Sequence, residues 1–331
     1  MDTLLAVGAG VINDLVKWFA WDRDLPYACV ATAASMNGYA SANIAPTIDG
    51  MKSLRSARPP RLILAAPAIL QAAPYVLTTA GLGDILAKSV SATDWKLNQL
   101  LWGDYYCERS VALVGDIEPL YLDDPEGVRD RQRGSIEALF QGLLLTGAAM
   151  TMAETSSPAS GGEHMLSHTL DMMSLVDGEP HDLHGRQVGI GTVVASEIYR
   201  RVLAIDEPVF HEPDAAIDRV FWGRLADEVE REHAGKRERL GQVAGLLSEP
   251  GAWDRLRAGL MGMIRLPEVT RECLRRAGGA YRREDVGCPR ERLLAALDHS
   301  HEIRSRFTIL DLARLVGVLP DASEDMVDTW T

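Results

Sequence analysis

The chain opens on an apolar run, Leu4-Leu-Ala-Val7, meets glycines at Gly8 and Gly10, and passes into a segment whose apolar residues recur at helical spacing through Ala20. An apolar strand, a glycine turn and an amphipathic helix make half of a βαβ unit. A second strand is predicted at Tyr27–Ala31, running into small polar residues from Thr32 to Ser41, the kind of loop at a strand's carboxyl end where open parallel sheets bind ligands. The proline-marked stretch Arg58–Pro67 predicts one more short strand. From about Pro74 the period changes. Ser135–Glu154, Asp218–Leu247 and Trp253–Met263 carry apolar residues three and four apart, and strand-like alternation is scarce. The pattern predicts α/β plus all-α architecture, with a partial α/β domain over residues 1–74 and a helical domain over 75–331. Two or three strands are too few for a complete doubly wound sheet. The charged run Asp227–Arg239 is expected to form solvated helix faces.

Composition narrows the function classes. A chain of 331 residues with 47% hydrophobic and 24% charged residues can bury a sizeable core. Its net charge of −13 argues against a nucleic-acid partner, because phosphate neutralisation needs clustered Lys and Arg; a local basic pocket for a small anion stays open. Cys29, Cys107, Cys273 and Cys288 lie far apart without a Cys-x-x-Cys pair, which speaks against a disulfide framework or thiolate zinc site and for a reducing cytoplasm. The apolar start lacks the basic residues of a signal peptide, and no unbroken apolar stretch is long enough to span a membrane.

Four of the eight histidines, His164, His168, His181 and His184, fall within one short stretch. Ser160-Gly-Gly-Glu-His164-Met-Leu-Ser-His168 reads as a helix start, and positions four apart share a face, so both histidines can look into one cleft. A carboxylate should complete a metal site there. Asp84 is the candidate, placed at the start of an apolar helix, where the dipole favours an acid; its plainer role is a salt bridge to Lys88. The turn at Gly8, Ala9, Gly10, Val11 and Ile12 has Gly-x-Gly without the third glycine of a dinucleotide fingerprint, so it is either a pyrophosphate cradle or an ordinary turn. Thr32, Ser35 and Ser41 either contact a cofactor or cap the next segment. His211, His233, His299 and His301 are expected at the surface.

Taken in order, Ala6-Val-Gly-Ala-Gly-Val-Ile-Asn-Asp14, Ala31-Thr-Ala-Ala-Ser-Met-Asn-Gly-Tyr-Ala-Ser41, Gly81-Leu-Gly-Asp-Ile-Leu-Ala-Lys88 with Asp94-Trp-Lys-Leu97, Pro158-Ala-Ser-Gly-Gly-Glu-His164 with His168, and His184-Gly-Arg-Gln-Val-Gly189 resemble the sn-glycerol-1-phosphate dehydrogenases. These are a branch of the superfamily of iron-containing alcohol dehydrogenases, glycerol dehydrogenases and dehydroquinate synthases. The resemblance spans roughly residues 4–195. It implies a Rossmann-like N-terminal domain, a helical C-terminal domain and an active site between them. It also implies that Asp84, His164 and His184 hold one divalent metal (zinc, nickel or iron), with His181 the rival of His184. His168 and Asn37 would serve catalysis, and Gly8 to Ile12, Thr32, Ser35 and Ser41 would line NAD or NADP. The implied reaction is reversible reduction of dihydroxyacetone phosphate to sn-glycerol 1-phosphate, by a homo-oligomer acting on a small ketone or polyol.

Three departures bear on this. Asn37 stands where many relatives have Asp, which removes a charge. Ser157 stands where the family usually has Arg, which weakens the case for a phosphorylated substrate and admits a glycerol or polyol dehydrogenase. Relatives carry a further segment before the glycine turn, so a misplaced Met1 is expected. A dehydroquinate synthase-like cyclase is the rival enzyme, disfavoured because its metal carboxylate is normally Glu. An inactive scaffold is the non-enzyme alternative.

Overall fold

The computed structural model describes residues 3–48, 51–52, 55–213 and 216–331. Strand β1 (Leu4–Gly8), helix α1 (Gly10–Asp22) and strand β2 (Tyr27–Ala31) form the expected half-unit. Four short strands in two antiparallel pairs were not legible in the pattern because each is two residues long: β3 (Asn43–Ile44) pairs with β6 (Arg55–Ser56), and β4 (Thr47–Ile48) with β5 (Met51–Lys52). Strand β7 (Leu62–Ala65) then joins β2, so the parallel sheet runs β1-β2-β7, with Leu4 opposite Tyr27 and Ala31 opposite Ala65. Tyr27, Cys29 and Ala31 alternate inward on the central strand and are buried with Ala6. On the opposite face Leu5, Val7, Leu62 and Leu64 are about half exposed, and Val11, Leu15 and Phe19 along α1 are exposed as well.

The rest of the chain is helical: α2 (Pro67–Ala72), α3 (Tyr75–Leu86), α4 (Lys88–Trp102), α5 (Glu108–Ala112), α6 (Pro119–Leu122), α7 (Pro125–Arg129), α8 (Arg133–Ala153), α9 (Gly162–Asp177) and α10 (His184–Leu203). After these come α11 (Arg219–Trp222), α12 (Ala226–Ala234), α13 (Arg237–Ser248), α14 (Ala252–Leu260), α15 (Pro267–Arg276), α16 (Arg290–His299), α17 (Ile309–Leu315) and α18 (Ser323–Trp330). Helix α8 is long and apolar enough to cross a membrane by length and composition, but most of it is buried, with Ile136, Leu139, Phe140 and Leu143 in the core around the sheet. The continuous segment expected over Asp218–Leu247 is instead three helices, broken where Gly223 adopts φ 48° and again at Gly235.

Two apolar cores meet along α10. Ile190, Val194 and Ile198 face the helical core, while Val193 joins the core under the sheet with Leu82, Ile85 and Leu143. Helices α3 and α10 approach closely because both present glycine: a Cβ on Gly185 would lie 2.0 Å from the Ala80 carbonyl oxygen, and one on Gly83 2.1 Å from that of Gly185. This contact sets the start of α10, and with it His184, against the end of α3, which carries Asp84.

Several sequence expectations are corrected here. Asp84 lies in the last turn of α3, not at a helix start, so the dipole opposes its charge and other groups must hold it. Among the described residues Lys88 forms no ion pair with it; burial lowers the Lys88 ammonium to about 8. His233 and His301 are buried rather than on the surface, and His299 stacks on Phe221 at 3.9 Å. Within the charged run, Lys236 is buried against Asp311 at 2.7 Å, a partner in α17 that local charge patterning cannot reveal.

Candidate active site

The carboxyl end of the small sheet, the end of α3 and the starts of α9 and α10 surround a cavity of roughly 1400 Å³. Asp84, His164, His168 and His184 line it, together with Ala9, Gly10, Val11, Ile12, Ser35 and Asn37. Donor atoms of Asp84, His164 and His184 all lie within 4.8 Å of one another, and His164 Nε2 is 3.3 Å from Asp84 Oδ1. His181 is turned away, with Nδ1 3.1 Å from Asp171.

Each of the three groups is oriented by a neighbour. Glu163, fully buried, accepts from Gly161 N–H at 2.8 Å and lies 2.7 Å from His164 Nδ1. That contact fixes the ring so that Nε2 faces the cavity, the usual arrangement behind a metal-binding histidine. His184 Nδ1 is 3.0 Å from Ser167 Oγ, which likewise leaves Nε2 toward the cluster. Asp84 accepts from the Asn37 backbone N–H at 2.8 Å and from the Asn37 amide at 3.2 Å. Asn37 thereby offsets the adverse helix end, and a carboxylate at this position would instead repel Asp84. Burial pushes the His164 imidazole down, but the hydrogen bonds and charges of Asp84 and Glu163 outweigh it and carry the pKa up to about 9. A buried Asp-His-His set is the donor chemistry of a divalent cation that keeps open positions for substrate oxygens, so these residues fit a metal.

The surrounding loops are held by two further groups that the sequence did not single out. Lys17, buried in α1, reaches Gly38 O at 2.6 Å, Ser41 O at 3.0 Å and Asn43 O at 3.2 Å, clasping the loop that presents Asn37. Burial lowers its ammonium to about 8. Asp94 accepts from Gly162 N–H at 2.7 Å, Ile309 N–H at 2.8 Å and Tyr199 O–H at 2.6 Å, tying the starts of α9 and α17 together. Burial, with Glu163 nearby, pushes its carboxyl up to about 7.

The expected cofactor residues divide. Ala9 to Ile12 and Ser35 line the cavity, whereas Gly8 and Thr32 lie behind its wall, joined by a Thr32 N–H to Gly8 carbonyl bond of 3.2 Å. Ser41 also borders the cavity but is buried, and its hydroxyl accepts from Lys17 and bonds the Gly38 and Asn43 carbonyls, so it shapes the loop. His168, next to the cluster, stacks on His184 with ring centres 5.2 Å apart.

The family model described as iron-containing alcohol dehydrogenase matches residues 1–74. A glycerol-1-phosphate dehydrogenase [NAD(P)+] of Bacillus licheniformis is 30% identical over 319 residues, covering 96% of this chain and 69% of that protein. The chain belongs to the glycerol-1-phosphate dehydrogenase family. A Pyrococcus furiosus member is 34% identical over 195 residues, 59% of this chain and 55% of the relative. The fold is shared with a probable glycerol dehydrogenase from Sinorhizobium meliloti, at TM-score 0.60 and 16% identity over 99% of this chain and 78% of that one. An iron-containing alcohol dehydrogenase from Corynebacterium glutamicum gives 0.54 and 19%, covering 99% and 76%. The small parallel sheet followed by helices is thus the iron-containing alcohol dehydrogenase fold.

Proposed function

We propose that the chain is an NAD(P)-linked, metal-dependent dehydrogenase that interconverts dihydroxyacetone phosphate and sn-glycerol 1-phosphate. The observation that carries this reading is the convergence of Asp84, His164 and His184 in the same cavity as the Ala9–Ile12 turn. These three residues would hold the cation, with Glu163 and Ser167 fixing the imidazoles and Asn37 the carboxylate. When bound, a divalent ion supplies Lewis acidity to a ketone or alcohol oxygen. The backbone N–H groups at the start of α1 and Ser35 would position NAD or NADP. Bound there, the nicotinamide cofactor would supply hydride-transfer chemistry, and His168, which lines the cavity beside the cluster, would take up or release the proton of the alcohol.

Asn37 acts here by positioning Asp84 through two hydrogen bonds. The reading also places the chain in the cytoplasm, consistent with four unpaired cysteines, as a homo-oligomer. One observation favours a second reading: the Ser157 hydroxyl, 3.0 Å from Thr155 Oγ, gives the cavity no positive charge at that position, as a polyol dehydrogenase would allow. The test is elemental analysis and turnover of the chain and its Asp84→Ala and His164→Ala variants with each ketone. The expected result is about one metal per chain in the parent, and loss of metal and turnover in both variants with the fold kept. Stoichiometric metal in both variants would sink the assignment.

A further inference from the structure

The cavity wall next to His168 carries positive charge that the motifs around the histidines do not contain. Arg304 and Arg306 reach it from the segment between α16 and α17. A third cavity arginine, Arg239, is neutralised by Asp104 through contacts of 2.7 and 3.0 Å. Among the described residues, neither Arg304 nor Arg306 has a carboxylate within ion-pair distance. The hydrogen bonds of Arg306 go to the Ser160 carbonyl and, at 2.9 Å, to Ser156 Oγ, both neutral acceptors. Among the described residues Arg304 meets His168 Nδ1, at 3.5 Å.

Burial and the neighbouring Arg304 lower the Arg306 guanidinium to about 10, so it remains charged at neutral pH. Carboxylates act on them only from beyond ion-pair distance, Glu232 on Arg304 and Asp94 and Glu163 on Arg306, and two adjacent, largely desolvated cations without a directly paired carboxylate are costly in a protein unless an anion completes them. Paired guanidinium forks match phosphate oxygens, which take parallel N–H donors. The placement selects the anion's owner. Arg304 contacts His168, which stacks on His184 at 5.2 Å, so an anion held there lies just beyond the group assigned to proton transfer. A short keto phosphate can span from that point to the Asp84, His164 and His184 cluster.

We infer that Arg304 and Arg306 form the subsite for the phosphoryl group of the substrate, supplying the charge that Ser157 does not. The inference rests on the dehydrogenase reading, and its test separates the two. Binding of inorganic phosphate to the full chain is measured by calorimetry, which needs no turnover, for the parent, Arg304→Met and Arg304→Lys. Initial rates with dihydroxyacetone phosphate and dihydroxyacetone follow on the same samples, with NADPH and NADH titrated in parallel. Circular dichroism verifies the fold. Arg304 is the primary site because Arg306 also holds the backbone at Ser160, next to α9. The expected result is phosphate binding by the parent, weakened at least tenfold in Arg304→Met and partly restored in Arg304→Lys, with a collapse of the preference for the phosphorylated ketone.

Absent phosphate binding by the parent overturns the inference, as does unchanged phosphate affinity and ketone preference in Arg304→Met. An equal loss of NADPH affinity, with NADH unaffected, overturns it by giving the arginines to the cofactor. Turnover with dihydroxyacetone phosphate that Arg304→Met leaves intact removes the subsite and keeps the dehydrogenase. Arginine-dependent phosphate binding without turnover of either ketone keeps the subsite and removes the dehydrogenase.

Discussion

Replacing Glu163 with glutamine keeps the side-chain volume and removes the charge behind His164. In the parent, Glu163 lies 2.7 Å from Nδ1, and with Asp84 it carries the imidazole up to about 9. A metal ion must displace the proton from Nε2. At pH 7 the protonated ring is favoured by about two pKa units, which at 1.36 kcal/mol per unit costs metal binding about 2.7 kcal/mol, or about a hundredfold in apparent affinity. That cost disappears as pH rises through 9, so the parent's apparent affinity should climb about tenfold per unit between pH 7 and 9. Glu163→Gln should show a shallower slope, because its His164 titrates lower, and a metal affinity about 10- to 100-fold weaker at pH 9.5, where proton competition has gone and only the lost orientation remains. Competition titration with a fluorescent zinc chelator, corrected for its own protonation, measures both. A flat parent profile from pH 7 to 9, together with unchanged affinity of the variant at pH 9.5, would refute the role given to Glu163.

Other outcomes follow from the same contacts. Asp94→Asn turns an amide N–H₂ toward at least one of three donors, Gly162 N–H, Ile309 N–H or Tyr199 O–H; urea unfolding should register a loss of about 1–3 kcal/mol, and an unchanged midpoint would contradict it. Lys17 binds fewer protons folded than unfolded between pH 8 and 10.5, so its contribution to stability grows as pH rises through that window, by at most about 3 kcal/mol. The stability difference between the parent and Lys17→Met should therefore widen from pH 8 to 10, and a constant difference would remove the desolvation account. Gly185→Ala drives a methyl into the Ala80 carbonyl and should cost about 1–3 kcal/mol in thermal unfolding while weakening metal binding; full metal affinity would show that α3 and α10 can separate freely. His168→Ala should retain metal and lose most turnover, and an unchanged rate would reduce His168 to packing.

Local pattern by itself determined much of this protein. The β1–α1–β2 start follows from an apolar run meeting glycine and then a helical period, and the shared face of His164 and His168 follows from their spacing on α9. These properties depend on residues a few positions apart, so the sequence displays them. The motifs in their family order also pointed to Asp84 and to His184 over His181, although the dipole reasoning for Asp84 failed because α3 begins well before it.

Only the tertiary structure decided which distant groups support the site. Asn37 meets Asp84, Lys17 clasps the loop at Ser41, Asp94 joins α9 to α17, and Arg304 and Arg306 reach the wall beside His168. The buried Lys236–Asp311 pair makes the same point against the reading of Asp227–Arg239 as a solvated face. A charge can be buried only where packing brings a partner or a ligand to it, and that partner leaves no mark on the local period.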